Sequence, residues 1–247
     1  MTNDQSRTVT AAMLAIGDEL LSGRTRDKNI GHLATALTLQ GINLKEVRIV
    51  ADEQADIVLA LNELRKNYQY VFTSGGIGPT HDDITADAVA VAFATSIDHD
   101  PRAMAILEPH YQEIGLEFTT ARMRMARIPE GASLIENKIS KAPGFKLENV
   151  YVMAGVPAVF QTMLEEVLPT LEGGAKMLSH SIDCEFGEGT IGDKLGEIQA
   201  AHPEASIGSY PRFDGQKYST QIVVRSTDTL IIDAAVREIH DFLGTLG

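Results

Sequence analysis

Tyr70-Val71-Phe72-Thr73-Ser74-Gly75-Gly76-Ile77-Gly78-Pro79-Thr80-His81-Asp82-Asp83-Ile84-Thr85 is the stretch on which the fold turns. Tyr70–Thr73 reads as a short buried strand. Three glycines follow within four residues, and then comes a helix carrying Ala88, Val89, Val91, Ala92 and Phe93. Apolar runs closed by glycine are the pattern of parallel strands buried on both faces. Toward the N-terminus the same unit recurs. Residues 9–16 (VTAAMLAI) form an apolar run ended by Gly17, followed by the polar loop GDELLSGRTRDKN. Ile30, Leu33, Ala34 and Leu37 then fall at helical spacing, with Gly41 placed as a C′ residue. Residues 42–50 alternate like a strand, and Asp52 stands where it would cap a helix with the stripe Ile57, Val58, Leu61 and Leu64.

Toward the C-terminus, Asp100-Pro101 is an N-cap and N1 pair. Residues 116–149 are less regular. Val150–Met153 is a short strand, and Pro157 opens a helix through Phe160, Met163, Leu164 and Leu168. Strands alternating with helices predict an α/β domain on a parallel sheet with right-handed crossovers. After Pro169 and Gly173-Gly174 the order changes. His180–Phe186 reads as strand, Ile191–Ala201 as helix and Ser206–Tyr210 as strand. Arg212–Gln216 reads as a turn, Tyr218–Arg225 as strand and Leu230–Leu243 as a helix with Ile232, Ala235, Val236, Ile239 and Phe242 inward. The expectation is a three-layer, mostly parallel α/β domain over residues 1–172 and a small α+β domain over 175–247.

The 247 residues carry 21 Lys+Arg against 34 Asp+Glu, a net charge of −13 that repels phosphate backbones and argues against general nucleic-acid binding. The longest plainly apolar run, Ala88–Ala94, has seven residues, well short of the ~20 needed to span a bilayer. The polar start MTNDQSRTVT lacks the basic and apolar regions of a signal peptide, and the single Cys184 excludes an internal disulfide framework. A cytoplasmic protein with small-molecule partners, no membrane and no nucleic acid is expected.

Chemistry concentrates at the strand ends. A glycine turn that feeds a helix gathers backbone N–H groups and the positive end of the helix dipole on one point, which suits a phosphate. No Gly-Lys-Ser/Thr follows, so it is not a Walker A loop. A plain strand-to-helix turn, with Asp83 or Thr85 as N-cap, fits the same spacing. Asp82 and Asp83 beside a phosphate would repel it unless a divalent cation took oxygens from both; a solvated helix start is the other reading. Gly17, Asp18 and Glu19 leave the first strand, and ligands in open α/β sheets bind beyond the carboxyl ends of strands. Asp27 is read equally as a ligand contact or a helix cap. Residues 122–146 hold six basic residues (Arg122, Arg124, Arg127, Lys138, Lys141, Lys146) against Glu130 and Glu136, a local +4 suited to an anion. Gly189-Thr190-Ile191-Gly192 matches the G-x-x-G of KH domains, but residues 174–247 carry six basic and eleven acidic residues, which disfavours nucleic acid there. Cys184 is read as a core residue.

These segments resemble the MoaB/Mog molybdopterin-binding superfamily, in the branch typified by the N-terminal part of competence/damage-inducible protein A. The loop Gly17–Asn29 (GDELL with a later Asp-x-Asn), Gly75–Thr85 (GG-x-GPT-x-DD-x-T), Ala142-Pro143-Gly144-Phe145 and Gly155-Val156-Pro157 carry the likeness, which covers roughly residues 9–172. The C-terminal segment resembles the KH-like domain that follows in that branch. The resemblance implies a nucleotide- or pterin-binding protein. It implies ligand contacts from Gly17, Asp18, Glu19, Asp27, Asn29, Ser74, Gly75, Gly76, Gly78, Pro79, Thr80 and Thr85, with Asp82 and Asp83 as catalytic residues holding Mg or Mn. It implies hydrolysis of a nucleotide diphosphate such as ADP-ribose or FAD, or, in the alternative, molybdopterin binding without hydrolysis linked to molybdenum cofactor biosynthesis. A homodimer is implied as well. The longer members' C-terminal amidase activity is not expected of this chain.

Overall fold

β1 (Val9–Ile16) is an interior strand, next to the edge, of a six-stranded sheet in a computed structural model that describes residues 8–213, 215–216 and 218–246. The polar N-terminal residues 1–7, Asp214 within the expected turn, Lys217 and Gly247 fall outside the described residues. The elements that follow β1 are α1 (Asp18–Leu21), α2 (Asn29–Leu39), β2 (Ile42–Val50), α3 (Gln54–Asn67), β3 (Tyr70–Ser74), α4 (Thr85–Ala92), β4 (Ile97–His99), α5 (Pro101–Glu113), α6 (Thr120–Met123), β5 (Arg127–Pro129), β6 (Ser133–Ile135), β7 (Gly144–Leu147), β8 (Val150–Met153) and α7 (Pro157–Val167). The sheet order is β2-β1-β3-β8-β7-β6. The first four strands pair in parallel, while β7 and β6 are added antiparallel.

Side-chain alternation builds the two cores. Along β1, Ala12, Leu14 and Ile16 face a cluster with Ile57, Leu61 and Leu64 of α3, Val89 of α4 and Leu107 of α5. Ala11 and Met13 face Leu33 and Leu37 of α2 and Phe160, Met163 and Leu164 of α7. The result is three layers, with helices covering both sheet faces.

The chain divides into two compact units, the second beginning at Ala175. In that unit β9 (Leu178–Cys184), β10 (Ser206–Phe213) and β11 (Tyr218–Ser226) form an antiparallel sheet in the order β10-β11-β9. Ile182, Cys184, Ile222 and Val224 of this sheet pack on Ile191, Leu195 and Ile198 of α8 (Glu188–Ala201) and on Ile232, Ala235 and Ile239 of α9 (Thr229–Leu243). Cys184 is a buried core residue. Gly189 and Gly192 lie inside the first turns of α8 rather than in a loop.

The irregular segment resolves into short pieces. β4 and β5 form a separate two-stranded antiparallel ladder, and α6 continues into a 3-10 turn over Arg124–Ala126. Asp18–Leu21, expected as loop, closes one helical turn with two acids at its start, where they complement the helix dipole. Asp100 caps α5, accepting from Arg102 and Ala103 N–H, as its pairing with Pro101 requires.

Candidate functional site

Four adjacent parallel strands end on one rim: β1 at Gly17, β2 before Asp52, β3 at Gly75 and β8 before Ala154-Gly155. Their loops enclose a cleft of about 550 Å³. The loops approach so closely that side chains are excluded. Gly75 has φ +109°, and a Cβ there would stand 2.2 Å from the Ile16 carbonyl oxygen. Gly76 has φ +67°, and its Cβ would stand 2.1 Å from Thr85 Oγ1, whose hydroxyl donates to Gly75 O at 3.0 Å.

The N–H groups of Gly76, Ile77 and Gly78 make no hydrogen bond to the described residues, and all three residues line the cleft. The three residues are half-buried, so their N–H groups are open to a ligand or water that accepts from them. At the head of α4, Thr85 N–H reaches Gly76 O at 3.0 Å, and Ile84 occupies the N-cap position without any side-chain cap. Neither Asp83 nor Thr85 is therefore the helix cap. Asp83 Oδ2 instead accepts from Thr80 N–H (2.8 Å) and Thr80 Oγ1 (2.6 Å), closing the turn between them. Asp82 stands exposed on the rim, its carboxyl held below the usual range by the Thr80 hydroxyl, then by its own backbone N–H, with His81 adding to the effect. The Thr80 hydroxyl thus has one proton to share between two neighbouring carboxylates, Asp82 and Asp83.

Of the expected ligand contacts, Gly17, Glu19, Gly75, Gly76, Gly78 and Pro79 line the cleft together with Asp82 and Asp83. The others support its walls. Asn29 is buried, and its Nδ2 donates to Ser74 Oγ and to Gly155 O, both at 2.8 Å, tying the start of α2 to the ends of β3 and β8. Asp27 accepts from Ile30 N–H at 2.7 Å in the first turn of α2, whose N-cap position is Lys28. Asp18 offers its N–H to Asp52 Oδ2 at 3.0 Å. Thr80 and Thr85 act through the bonds already described.

Asp52 itself is the residue that sequence reasoning misassigned. It does not cap α3, whose N-cap position is Glu53; it lines the cleft. Burial raises its pKa above the ordinary carboxylate value, and the charges of Asp18, Glu19 and Asp82 push the same way, against the Asp18 N–H. The signal available in sequence was position alone, two residues beyond the end of a parallel strand. The basic island disperses. Arg127 pairs with Asp87, Lys138 pairs with Glu166, and Arg122 and Lys146 lie over Tyr111 and Tyr151. Arg124 stays at the loop, with Nη2 donating to Asp83 O at 3.4 Å and a buried Nε that has no partner among the described residues.

The donor set fits a hard divalent cation, because the acids on this rim offer only oxygen. Among the described residues no three His, Cys, Asp or Glu converge into a protein-only metal cage. A cation here would take one or two carboxylates plus ligand phosphate, the usual manner of Mg²⁺.

An open α/β sheet with a glycine loop at its carboxyl edge defines a class of anion-binding domain, and residues 12–173 match the family described as "Probable molybdopterin binding domain". The chain belongs to this MoaB/Mog family, in its CinA-like branch. Residues 176–245 match "FAD synthase, middle domain". A CinA-like protein of Desulfosudis oleivorans is 35% identical over 214 residues, covering 82% of this chain and 52% of the relative. A "Probable FAD synthase" of Caenorhabditis briggsae is 29% identical over 258 residues, covering 95% of this chain and 49% of the relative. The chain thus spans about half the length of both relatives. The solved structure of CinA from Thermoplasma acidophilum superposes with a TM-score of 0.61 at 28% identity, over 66% of this chain and 98% of that one. No helix of the described residues is long and apolar enough to cross a membrane.

Proposed function

We propose that the chain binds a phosphate-bearing nucleotide in the glycine-loop cleft and hydrolyses its diphosphate linkage, with ADP-ribose and FAD as the substrate type. The observation that carries this reading is the run of three unpartnered N–H groups, Gly76 to Gly78, facing an acid-rimmed cleft. These donors would hold phosphate oxygens and offset charge that develops on them. Arg124, without a carboxylate partner among the described residues, adds positive charge behind the loop. Asp82 and Asp83 would hold Mg or Mn, which supplies charge neutralisation and a bound water of lowered pKa. The match of the C-terminal residues to a FAD synthase domain supports a nucleotide ligand.

A second reading, molybdopterin binding without hydrolysis, draws on the description of the family matched by residues 12–173. The same N–H groups would then take the pterin's phosphate. We place the protein in the cytoplasm as a homodimer, and light scattering that returned a monomer mass at micromolar concentration would remove the dimer.

The deciding experiment is calorimetric titration of Mg or Mn with ADP-ribose present, together with an assay of AMP release. Wild type should bind the cation and release AMP. Asp82→Asn with Asp83→Asn should fold and lose more than tenfold in both, beyond the ~0.3–1 kcal/mol of a helix-terminus charge effect. Equal cation affinity in the two proteins would end the metal role. Binding of molybdopterin with no AMP release would favour the second reading.

A further inference from the structure

A second cleft, of about 540 Å³, adjoins the first. One wall is a single stripe of α5, where Ile106, Pro109, His110 and Glu113 fall at helical spacings of three and four. The facing wall is Leu134 of β6, Glu136 just after it, and the strip that runs on to β7. That strip partitions the two clefts. Ser140 and Ala142 line the glycine-loop cleft, Lys141 and Pro143 line the second, and Asn137 lines both. Successive residues thus face opposite sides of the strip.

The partition is built rigidly. Asn137 is buried, accepts from the N–H groups of Ile139 and Ser140 and donates to Ser140 Oγ and Ala142 O. It holds Lys141 at φ 62°, a conformation that non-glycine residues adopt at a cost. The half-buried Lys141 ammonium makes no ion pair among the described residues.

We propose, resting on the phosphate reading of the first cleft, that this second cleft takes the nucleoside end of a ligand whose phosphates lie on the glycine loop. The aliphatic surfaces of Ile106, Pro109, Leu134 and Pro143 suit the faces of a planar base. The Glu113 and Glu136 carboxylates suit ribose hydroxyls, which acidic side chains commonly accept in nucleotide sites. Lys141 sits on the partition, where a bridging ligand's phosphate would cross. A cleft of this size is in the range that encloses small ligands.

The test uses the full chain with Mg²⁺ and two probes, inorganic pyrophosphate and ADP-ribose, titrated by calorimetry. Ile106 is 40% exposed, so Ile106→Trp fills the cleft without entering the core. Glu113→Gln with Glu136→Gln is the second, isosteric variant. Both should weaken ADP-ribose at least tenfold and change pyrophosphate less than twofold. Unchanged ADP-ribose affinity, or an equal loss of both probes, would overturn the nucleoside cleft while leaving the phosphate loop standing. Wild type that takes up neither probe would overturn the phosphate reading and this proposal with it.

Discussion

Asn29 shows how one buried amide can organise a rim. It joins Ser74 Oγ and Gly155 O, groups from the ends of two neighbouring strands. Asn29→Ala would leave the buried Ser74 Oγ without its donor, while the exposed Gly155 O turns to water, a loss of about 1–3 kcal/mol by the cost of an unsatisfied polar group. Urea unfolding should report it as a lower midpoint with an unchanged slope; an unchanged midpoint would mean that water replaces the amide. Asp52 tests the electrostatics of the same rim. Its pKa is raised in the folded state, so the folded chain binds more protons than the unfolded one between the two values. Its contribution to stability therefore falls as pH rises from the ordinary carboxylate pKa through the raised one. Asp52→Asn should melt above wild type at pH 7, and the difference should shrink as pH falls below the carboxylate range. A constant difference across that range would assign the effect to packing. Sequence could place Asp52 beside a strand end but not decide its partner, because the Asp18 N–H that it accepts lies 34 residues away.

At the scale of elements, the central parallel strands were legible because each is an apolar run closed by a glycine or an acid. β1, β3 and β8 are buried on both faces, and such runs have few other stable placements. The stretch 116–149 was not legible. β5 and β6 are three residues each, too short for a period of two to register, and their pairing is set by tertiary neighbours. The glycine loop was legible as a loop, while the true state of its acids was not, since Asp83 bonding back to Thr80 and Asp83 capping α4 require the same spacing. The loop's conformation makes its own prediction. Gly76→Ala forces a Cβ against Thr85 Oγ1 at a positive φ, so the loop must shift and its N–H groups diverge. Pyrophosphate affinity should fall more than tenfold, with circular dichroism of the chain nearly unchanged. Retained affinity would show that the ligand does not use these donors.

At the scale of the molecule, every residue assigned to the glycine-loop cleft and the nucleoside cleft lies before Ala175, and the unit beginning there has its own core of Ile182, Ile191, Ile198, Ile222, Val224 and Ile239. Two units of unequal size need not unfold together, and the smaller buries a lower fraction of its surface and has the thinner margin. Denaturant should produce two transitions, with the earlier one belonging to residues 175–247. A chain cut after Gly174 should then keep pyrophosphate affinity within twofold of the full chain, because no donor or acid of the cleft is removed. It should also lose the earlier transition and keep the later. The six basic and eleven acidic residues from 174 onward make the removed part net negative, so the cut should, if anything, quicken arrival of an anionic ligand at low salt. Stopped-flow rates at two ionic strengths would measure this, with the difference between full chain and fragment closing as salt rises. A fragment that folds, by circular dichroism, yet has lost pyrophosphate would mean that the second unit completes the phosphate site, and the cleft described here would then be only part of it.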